Sequence, residues 1–443
     1  MQRTLIKDLK NYIGKEVTVA GFINARRDHG KLIFIDLRDR TGIVQAVSSA
    51  KNAKTHATIE AVHSEWSAEL TGTVGKRPKN MINPEQEMGE IEIAISDSLI
   101  LGKAQELPFE KDGALNLDTY LDHMPLTLRS EKSQAIFKVQ AYIIAAYREA
   151  LSSRNFVEFQ SPKLVGSDAE GGGEVFKVDY FHDHSAYLAT SPQIYKQIMV
   201  PVFERVFSTG NVYRAEKHST TRHLNEYTSL DVEFGFIKDH ADIMKMLTEI
   251  LHDIISFLKK HGSKEFKFLN ADFPLAPDIF PVMKLREAQT LIKKETGEDC
   301  TREPDLTPSN EKFLCEYAAK NFASDFIFIT HYPVAKRPFY TREDEKDPGY
   351  TKSFDLLFRG VEITTGGQRV HDHDLLVEKM KSKGLNPENF FFYLMAFKYG
   401  MPPHGGWGMG IERLTQKFLG LANVKEATLF PREINRIDTL LSQ

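Results

Sequence analysis

The segment that most constrains this chain covers residues 207–226, where the triplet Arg214-Ala-Glu216 lies between two apolar stretches. Apolar, polar and again apolar residues in this order predict two β-strands joined by a loop. Near the C-terminus, Gly-Met-Gly-Ile-Glu-Arg at residues 408–413 predicts a glycine-containing loop that opens a helix. Backbone N–H groups at a helix start bind phosphate, and arginines bind it in a bidentate manner while staying charged. Either segment alone is a weak indicator; together they predict a site for a nucleoside triphosphate.

Residues 1–103 predict a small β-barrel. Alternating and β-branched residues, separated by Gly, Asn, Asp and Pro, predict strands over residues 16–23, 32–38, 42–47, 67–74 and 90–95. A helix predicted over residues 53–64 separates the third strand from the fourth. This order is that of an OB-fold, which frequently binds oligonucleotides. A barrel with a purely structural role remains the alternative at this point.

Residues 104–130 are predicted to form a hinge and residues 131–443 a catalytic domain. From Ser130 onward the sequence predicts a long amphipathic helix, and a short strand that ends at Pro162 follows it. The two cysteines, Cys300 and Cys315, are too few for a disulfide framework and have no neighbouring Cys/His set for zinc. We therefore expect both to be reduced and incidental.

Charge and hydropathy exclude several classes of partner. A net charge of −4 and a pI near 6.5 mean that local patches, not the whole field, must hold any nucleic acid. The charged N-terminus and the lack of any run near ~18 apolar residues predict no membrane span. A cytoplasmic location is the expectation.

Two carboxylates, Asp355 and Glu362, lie seven residues apart. On one strand this odd spacing puts them on opposite faces, so a turn at Arg359-Gly360 is needed to bring them together. Mg²⁺ typically takes one or two carboxylates plus substrate phosphates. Spacing alone favours two solvated carboxylates beside a hairpin over a metal site.

These segments, in this order, resemble the class IIb aminoacyl-tRNA synthetases. Residues 207–226 are similar to motif 2 of that class, residues 408–413 to motif 3, and the helix and strand ending at Pro162 to motif 1. Residues 191–197, Ser-Pro-Gln-Ile-Tyr-Lys-Gln, match the Ser-Pro-Gln-x-x-Lys-Gln motif of the aspartyl members. The C-terminal residues 397–408 and 429–432 fit the compact archaeal and eukaryotic-like type, and residues 233–355 leave no room for the large inserted domain of the usual bacterial form.

The resemblance implies an α+β fold, in which an OB-fold joins a class II catalytic domain built on an antiparallel sheet flanked by helices. It implies a homodimer, with motif 1 as the dimer element. It also implies a two-step ligase: L-aspartate and ATP, with Mg²⁺, give aspartyl-adenylate and pyrophosphate, and the aspartyl group then moves to the 3′ end of tRNA(Asp).

The resemblance assigns roles to residues by position. The catalytic arginines are Arg214 and Arg413. Aspartate is expected at Glu170, Ser191, Gln193, Lys196, Asp231 and Arg369. ATP is expected at Arg214, Glu216, Arg222, His223, Leu224, Glu362, Gly410 and Arg413, and Mg²⁺ at Asp355 and Glu362. Buried cations suit a carboxylate side chain because they supply both attraction and hydrogen bonds.

In the barrel, Phe34, Gln45 and Glu92 fall where the aspartyl enzymes bind anticodon bases. An aromatic platform with amide and carboxylate edges suits unstacked RNA bases, although Phe34 could also be a core residue. Strict members of the compact type carry a tryptophan and a lysine that help reject tRNA(Asn), and this chain has Asn24 and Glu87 there. The sequence leaves open whether it charges tRNA(Asp) alone or tRNA(Asn) as well.

Three other functions remain open on the sequence. An asparaginyl-tRNA synthetase shares the fold but has no need of the pairing between Lys196 and Asp231. A tRNA-independent, aspartate–ammonia ligase-like enzyme normally lacks the N-terminal barrel. A non-enzymatic RNA-binding protein with an inactive catalytic domain is disfavoured, because Arg214, Arg413 and the acidic residues of the predicted site are all present.

Overall fold

The computed structural model describes residues 3–111, 113–166, 174–439 and 441. The chain divides into two compact units, Met1–Glu110 and Lys111–Gln443. This division falls within the segment predicted as a hinge, and the helices at Leu117–Asp122 and Met124–Thr127 belong to the second unit. In the described ranges, no helix has both the length and the apolar character that crossing a membrane requires.

The first unit is a closed β-barrel in the strand order β1-β2-β3-β5-β4. Its strands are β1 (Glu16–Asp28), β2 (Leu32–Asp39), β3 (Gly42–Ser49), β4 (Ser67–Lys76) and β5 (Ile91–Gly102). Helix α1 (Ala53–Glu60) lies between β3 and β4, and 3₁₀ turns cover Ile6–Tyr12 and Lys79–Met81. The OB-fold predicted from the strand pattern is confirmed, with a shorter helix than expected.

Side-chain alternation decides the position of Phe34 on β2. Ile33 and Ile35 are fully buried in the barrel core, so Phe34 between them points to the outside, where it is half-buried. Its ring contacts His29 edge-on, with the centroids 5.5 Å apart. The alternative that Phe34 is a core residue is therefore wrong.

The second unit contains a large mixed sheet, a small sheet and many helices. Its strands are β6 (Val157–Glu158), β7 (Leu164–Val165), β8 (Lys177–Asp179), β9 (Ser185–Leu188), β10 (Arg205–Tyr213), β11 (Glu226–Gly235), β12 (Val282–Lys284), β13 (Phe326–Thr330), β14 (Ser353–Phe358), β15 (Val361–Gln368) and β16 (His404–Gly410). Its helices are α2 (Leu117–Asp122), α3 (Met124–Thr127), α4 (Glu131–Ser152), α5 (Gln193–Ile198), α6 (Val200–Phe203), α7 (His240–His261), α8 (Ser263–Phe268), α9 (Leu285–Thr296), α10 (Pro308–Phe322), α11 (His373–Ser382), α12 (Phe391–Lys398) and α13 (Ile411–Leu419). Further 3₁₀ turns cover Val334–Lys336, Pro387–Phe390 and Val424–Ala427.

The large sheet runs in the order β12-β13-β14-β15-β16-β11-β10-β6. Its central pairs are antiparallel, as predicted, whereas the edge pairs β12/β13 and β6/β10 are parallel. Helices α4 and α7 cover one face, where Leu230, Val232 and Phe234 of β11 enter the hydrophobic core. Because strand side chains alternate, Ser229, Asp231 and Glu233 project from the opposite face. That face carries the polar residues of the candidate site.

The hairpin β14–β15 brings the two predicted metal carboxylates to that same face. Its turn residues, Arg359 and Gly360, both have positive φ values, 45° and 84°, as a two-residue hairpin turn requires. Leu357 pairs with Glu362, and Asp355 lies two residues before Leu357, so Asp355 and Glu362 share a face. The turn expected from their spacing is confirmed.

Candidate active site

A cavity of about 380 Å³ opens on the polar face of the large sheet. It brings together residues from β11, β15, β16, α5, α13 and the loop between β10 and β11. The predicted site residues that line it are Ser191, Gln193, Lys196, Arg214, Glu216, Arg222, His223, Leu224, Asp231, Glu362, Arg369, Gly410 and Arg413. Glu170, predicted at the aspartate site, lies outside the described residues.

Lys196 forms the cationic floor of the cavity. It lies on α5 and is almost completely buried, with 1% of its surface exposed. Its Nζ donates to Asp231 Oδ1 and to the Trp407 carbonyl, both at 3.0 Å, and lies 3.4 Å from Glu233 Oε2. Ser229 donates to the second oxygen of Asp231 at 2.5 Å. The ammonium is thus fixed by a braced carboxylate, and its third proton has only the more distant Glu233 oxygen as a partner among these groups.

Arg369 is the second buried cation beside the floor. Its Nε donates to Glu233 Oε1 at 3.0 Å, and its Nη2 donates to the Gly406 carbonyl at 3.1 Å. Arg369 and Lys196 hold the pKa of the fully buried Glu233 below its ordinary value against the cost of burial. Two acids, Asp231 and Glu233, therefore balance two cations before any ligand arrives.

A chain of buried hydrogen bonds continues from α5, the helix that carries Lys196. Gln193 donates to Gln197 Oε1 at 2.9 Å, and the Tyr393 hydroxyl donates to the same oxygen at 3.0 Å. Gln197 Nε2 lies 2.8 Å from His404 Nε2, and His404 Nδ1 lies 2.9 Å from the Pro402 carbonyl. Burial lowers the pKa of His404 to about 4, so the ring is neutral, donates through Nδ1 and accepts through Nε2.

One end of the cavity is lined by arginines. Arg222 contacts both carboxyl oxygens of Glu311 at 3.2 Å. Arg413, in the first turn of α13, donates to the carbonyls of Arg222 at 3.2 Å and Glu362 at 3.0 Å. Arg214 lies 3.6 Å from Glu216 in a partly exposed pair. Guanidinium groups from two segments, the loop between β10 and β11 and helix α13, therefore line one space.

His223 and Glu412 complete this end of the cavity. His223 Nδ1 lies 2.6 Å from the Thr220 hydroxyl, and burial, together with Arg413, lowers the pKa of the ring. Glu412 Oε1 accepts from the Thr228 N–H at 2.9 Å, while burial raises the pKa of this carboxyl to about 7. The His223 ring is therefore largely neutral at neutral pH and Glu412 is about half protonated, so the positive charge here belongs to the arginines.

The sequence predicted a glycine-containing loop at residues 408–413, whereas the structure places Gly408 and Gly410 in a strand. They lie in strand β16, and only Gly410 caps helix α13. A Cβ on Gly406 would lie 1.9 Å from the Val232 carbonyl oxygen and 2.6 Å from Glu233 Oε2. These glycines therefore make room for buried charged side chains, and the expectation of a glycine loop is wrong.

On the outside of the barrel, the predicted anticodon residues lie on adjacent strands. Gln45 on β3 pairs with Glu92 on β5, and Gln45 Nε2 donates to Glu92 Oε2 at 2.8 Å. Arg77 also donates to Gln45, at 3.2 Å, and Phe34 lies on neighbouring β2. Of the predicted specificity positions, Asn24 lies at a bulge of β1 and Glu87 in an exposed turn.

Known proteins match both units of the chain. Residues 116–434 match the family model for tRNA synthetases class II (D, K and N), and residues 17–100 match that for the OB-fold nucleic acid binding domain. The chain belongs to the class II tRNA synthetases.

Relatives of this class II synthetase extend over nearly its whole length. The aspartate–tRNA(Asp/Asn) ligase of Thermus thermophilus is 44% identical, covering 98% of this chain and 99% of that protein. The aspartate–tRNA(Asp) ligase of Pyrococcus horikoshii is 38% identical, covering 96% of each. The crystal structure of asparaginyl-tRNA synthetase from Pyrococcus horikoshii, complexed with asparaginyl-adenylate, has a TM-score of 0.91 at 30% identity, covering 99% of each chain. The fold thus accommodates either amino acid, and only the residues of the site can distinguish them.

The two carboxylates predicted to bind a metal in this synthetase fit Mg²⁺. Asp355 is buried, and this burial, with repulsion from Glu362, raises the pKa of its carboxyl to about 6 against the attraction of Arg337. Its Oδ1 finds no hydrogen bond among the described residues. No cluster of three or more metal-ligating side chains occurs in the described ranges, but Mg²⁺ needs only one or two carboxylates with phosphates and water.

Several residues of this synthetase site were not predicted from the sequence. Glu233 braces Arg369, Glu311 holds Arg222, and Arg337 covers Asp355. Glu233 lies two residues after Asp231 on one strand, so the period of two could have placed it on the same face. Glu311, on α10, carried no comparable signal, because its partner lies 89 residues away.

Proposed function

We propose that this chain is an aspartate–tRNA ligase, which activates L-aspartate with ATP and transfers it to tRNA. The observation that carries this proposal is the cavity floor, where Lys196 and Arg369 are buried side by side and braced by Asp231 and Glu233. The two carboxylates already balance the two cations, so what the floor offers a ligand is a set of N–H donors held in fixed positions, which suits a carboxylate side chain.

The floor favours a carboxylate over an amide because its free groups are donors. Asp231 Oδ1 and the Trp407 carbonyl engage two of the three Lys196 protons, and Arg369 is bonded through Nε and Nη2. Neither side chain can accept a hydrogen bond. An aspartate carboxylate would receive the remaining protons, whereas the NH₂ group of asparagine would face donors and leave polar groups unpaired.

Activation at this site needs orientation and charge stabilisation. The α-carboxylate of aspartate is already a nucleophile: its oxygen attacks the α-phosphorus of ATP, the bond to the β-phosphate oxygen breaks, and pyrophosphate leaves. Arg214 and Arg413, which line the cavity, would stabilise the charge that develops on the phosphoryl oxygens. Asp355 and Glu362 would hold Mg²⁺, which would neutralise phosphate charge when bound.

The acceptor is proposed to include both tRNA(Asp) and tRNA(Asn). Support comes from Asn24 and Glu87, which replace the tryptophan and lysine expected in strict enzymes, and from the relatives named for both tRNAs in Thermus thermophilus and Deinococcus radiodurans. Phe34, Gln45 and Glu92 form the proposed anticodon face. We further propose a homodimer through α4 and β6, for which light scattering should give twice the 50.4 kDa of the chain.

The test is aminoacylation of separate tRNA(Asp) and tRNA(Asn) transcripts with radioactive aspartate and, in parallel, radioactive asparagine. We expect aspartate on both transcripts and asparagine on neither. Aspartate on tRNA(Asp) alone would contradict the relaxed acceptor range and leave the ligase assignment intact. Attachment of asparagine in preference to aspartate would contradict the assignment itself.

A further inference from the structure

Arg337 lies between the cavity and the buried carboxylate of Asp355. Its Nη2 is 2.8 Å from Asp355 Oδ1, and its guanidinium stacks on Tyr332, with Cζ 3.9 Å from the ring centroid. Arg337 lines the cavity, whereas Asp355 is not among the lining residues in the described part of the chain. A cation that approaches Asp355 from the cavity therefore meets the guanidinium first.

The contact between Arg337 and Asp355 is close but poorly directed. Across the ranges that the structure describes, Arg337 Nε, Arg337 Nη2 and Asp355 Oδ1 have no partner with hydrogen-bond geometry. Arg222 differs, because it contacts both oxygens of Glu311 at 3.2 Å. Bidentate geometry makes an arginine–carboxylate pair rigid, and its absence leaves Arg337 held by one close contact to Asp355 and by stacking on Tyr332.

The local charge balance explains what this arrangement can do. Asp355 and Glu362 share one face of the hairpin β14–β15, and Arg337 supplies a positive charge beside them. A divalent cation at the two carboxylates would bring two positive charges next to the guanidinium. At this largely buried position water screens the repulsion only in part, so the cation and the guanidinium compete for the same carboxylates.

We propose that Arg337 is an internal counter-ion, which neutralises the Asp355 and Glu362 carboxylates in place of a divalent cation and withdraws when that cation binds. It acts as a positioning residue and keeps the metal affinity of the nucleotide-free enzyme low. Because it lines the cavity, the withdrawn guanidinium faces the space assigned to the phosphates. The inference rests on the Mg²⁺ site of the proposed function.

The first test measures binding of Mn²⁺ alone to the full-length protein at pH 8 without ATP, from the free Mn²⁺ signal in electron paramagnetic resonance. Arg337→Met should bind Mn²⁺ about tenfold more tightly than the wild type. The matched control is Arg286→Met, which removes another arginine that stacks on a tyrosine, Tyr350, at 4.2 Å and contacts an aspartate, Asp347, at 2.6 Å. This control should leave Mn²⁺ binding unchanged.

Two results distinguish the counter-ion role of Arg337 from the metal site at Asp355. Adding Asp355→Asn to Arg337→Met should abolish the gain in Mn²⁺ affinity. A gain in affinity that persists in the double variant would contradict the metal site itself. If Arg337→Met binds Mn²⁺ no more tightly than the wild type, the counter-ion role is overturned, and absence of binding in both proteins overturns it equally.

A second measurement uses the wild-type protein and does not depend on the folding of a variant. Phenylglyoxal modifies accessible arginines, and peptide mass spectrometry locates the modification. Mg²⁺ without ATP should increase the modification rate at Arg337 several-fold and leave Arg286 unchanged. A rate at Arg337 that is unchanged or lowered by Mg²⁺ would overturn the proposal.

Discussion

Replacing Lys196 with methionine tests the chemistry of the cavity floor, because the two side chains have similar length and only one has a charge. In the wild type Asp231 and Glu233 balance Lys196 and Arg369, so the substitution leaves the buried site one negative charge in excess. Removing one partner of a buried pair costs about 3–5 kcal/mol, and a hydrogen bond to a charged group contributes about 1.5–3 kcal/mol. The first cost lowers the stability of the fold, whereas the second, lost on binding aspartate, corresponds to about a 10- to 10²-fold lower kcat/KM before repulsion between the excess charge and the substrate carboxylate is added.

The assay is aspartate-dependent exchange of pyrophosphate into ATP, with thermal unfolding to check the fold. Lys163→Met is the matched control. It removes a half-buried lysine that is attracted electrostatically by Asp231 but is not among the described residues that line the cavity. The double variant Lys196→Met/Asp231→Asn restores the charge balance, so it should recover thermal stability without recovering exchange. A folded Lys196→Met protein with kcat/KM within threefold of the wild type would refute the reasoning.

Three further predictions follow from other contacts. Burial gives Glu412 a folded pKa of about 7 against an ordinary 4.5, so its contribution to stability is complete below pH 4.5 and is lost as pH rises through 7. Glu412→Gln should therefore stabilise the protein at pH 8, by up to about 3 kcal/mol, and much less at pH 5; equal melting-temperature shifts at both pH values would count against this. Glu311→Gln loosens Arg222 and should raise the KM for ATP about tenfold with a smaller effect on kcat, whereas Glu316→Gln, on the same helix in an exposed pair, should change neither in steady-state exchange kinetics. Gln45→Ala should lower aminoacylation of tRNA about tenfold and leave pyrophosphate exchange unchanged, and a parallel fall in exchange would contradict its assignment to RNA binding.

Sequence periodicity was sufficient for the barrel and for much of the catalytic sheet. Alternation on β2 and β11 places every second side chain on one face, and the Arg359-Gly360 turn follows from the need to reverse the chain between two apolar strands. The motif resemblance then identified thirteen residues that line one cavity. These features are local in sequence, or are carried by motifs whose spacing is fixed.

Long-range pairing could not be predicted in this way. Arg222 meets Glu311 across 89 residues, and Arg369 meets Glu233 across 136, because the strand order of the sheet brings distant segments together. Gly408 and Gly410 were interpreted as part of a phosphate-binding loop, since a sequence shows that side chains are missing but not which neighbour occupies the space. In the structure the neighbour of Gly408 is a buried carboxylate, because a Cβ there would lie 3.2 Å from Asp231 Oδ1.

The central claim is that a floor of buried donors selects a carboxylate side chain. The most direct measurement is pyrophosphate exchange by the wild-type protein with aspartate or asparagine as the only amino acid, each over a full concentration range. The structure predicts exchange with aspartate and a kcat/KM for asparagine lower by about 10³-fold or more, because the amide NH₂ would meet the Lys196 and Arg369 donors where a carboxylate oxygen would accept. Comparable values for the two amino acids, or a preference for asparagine, would contradict it.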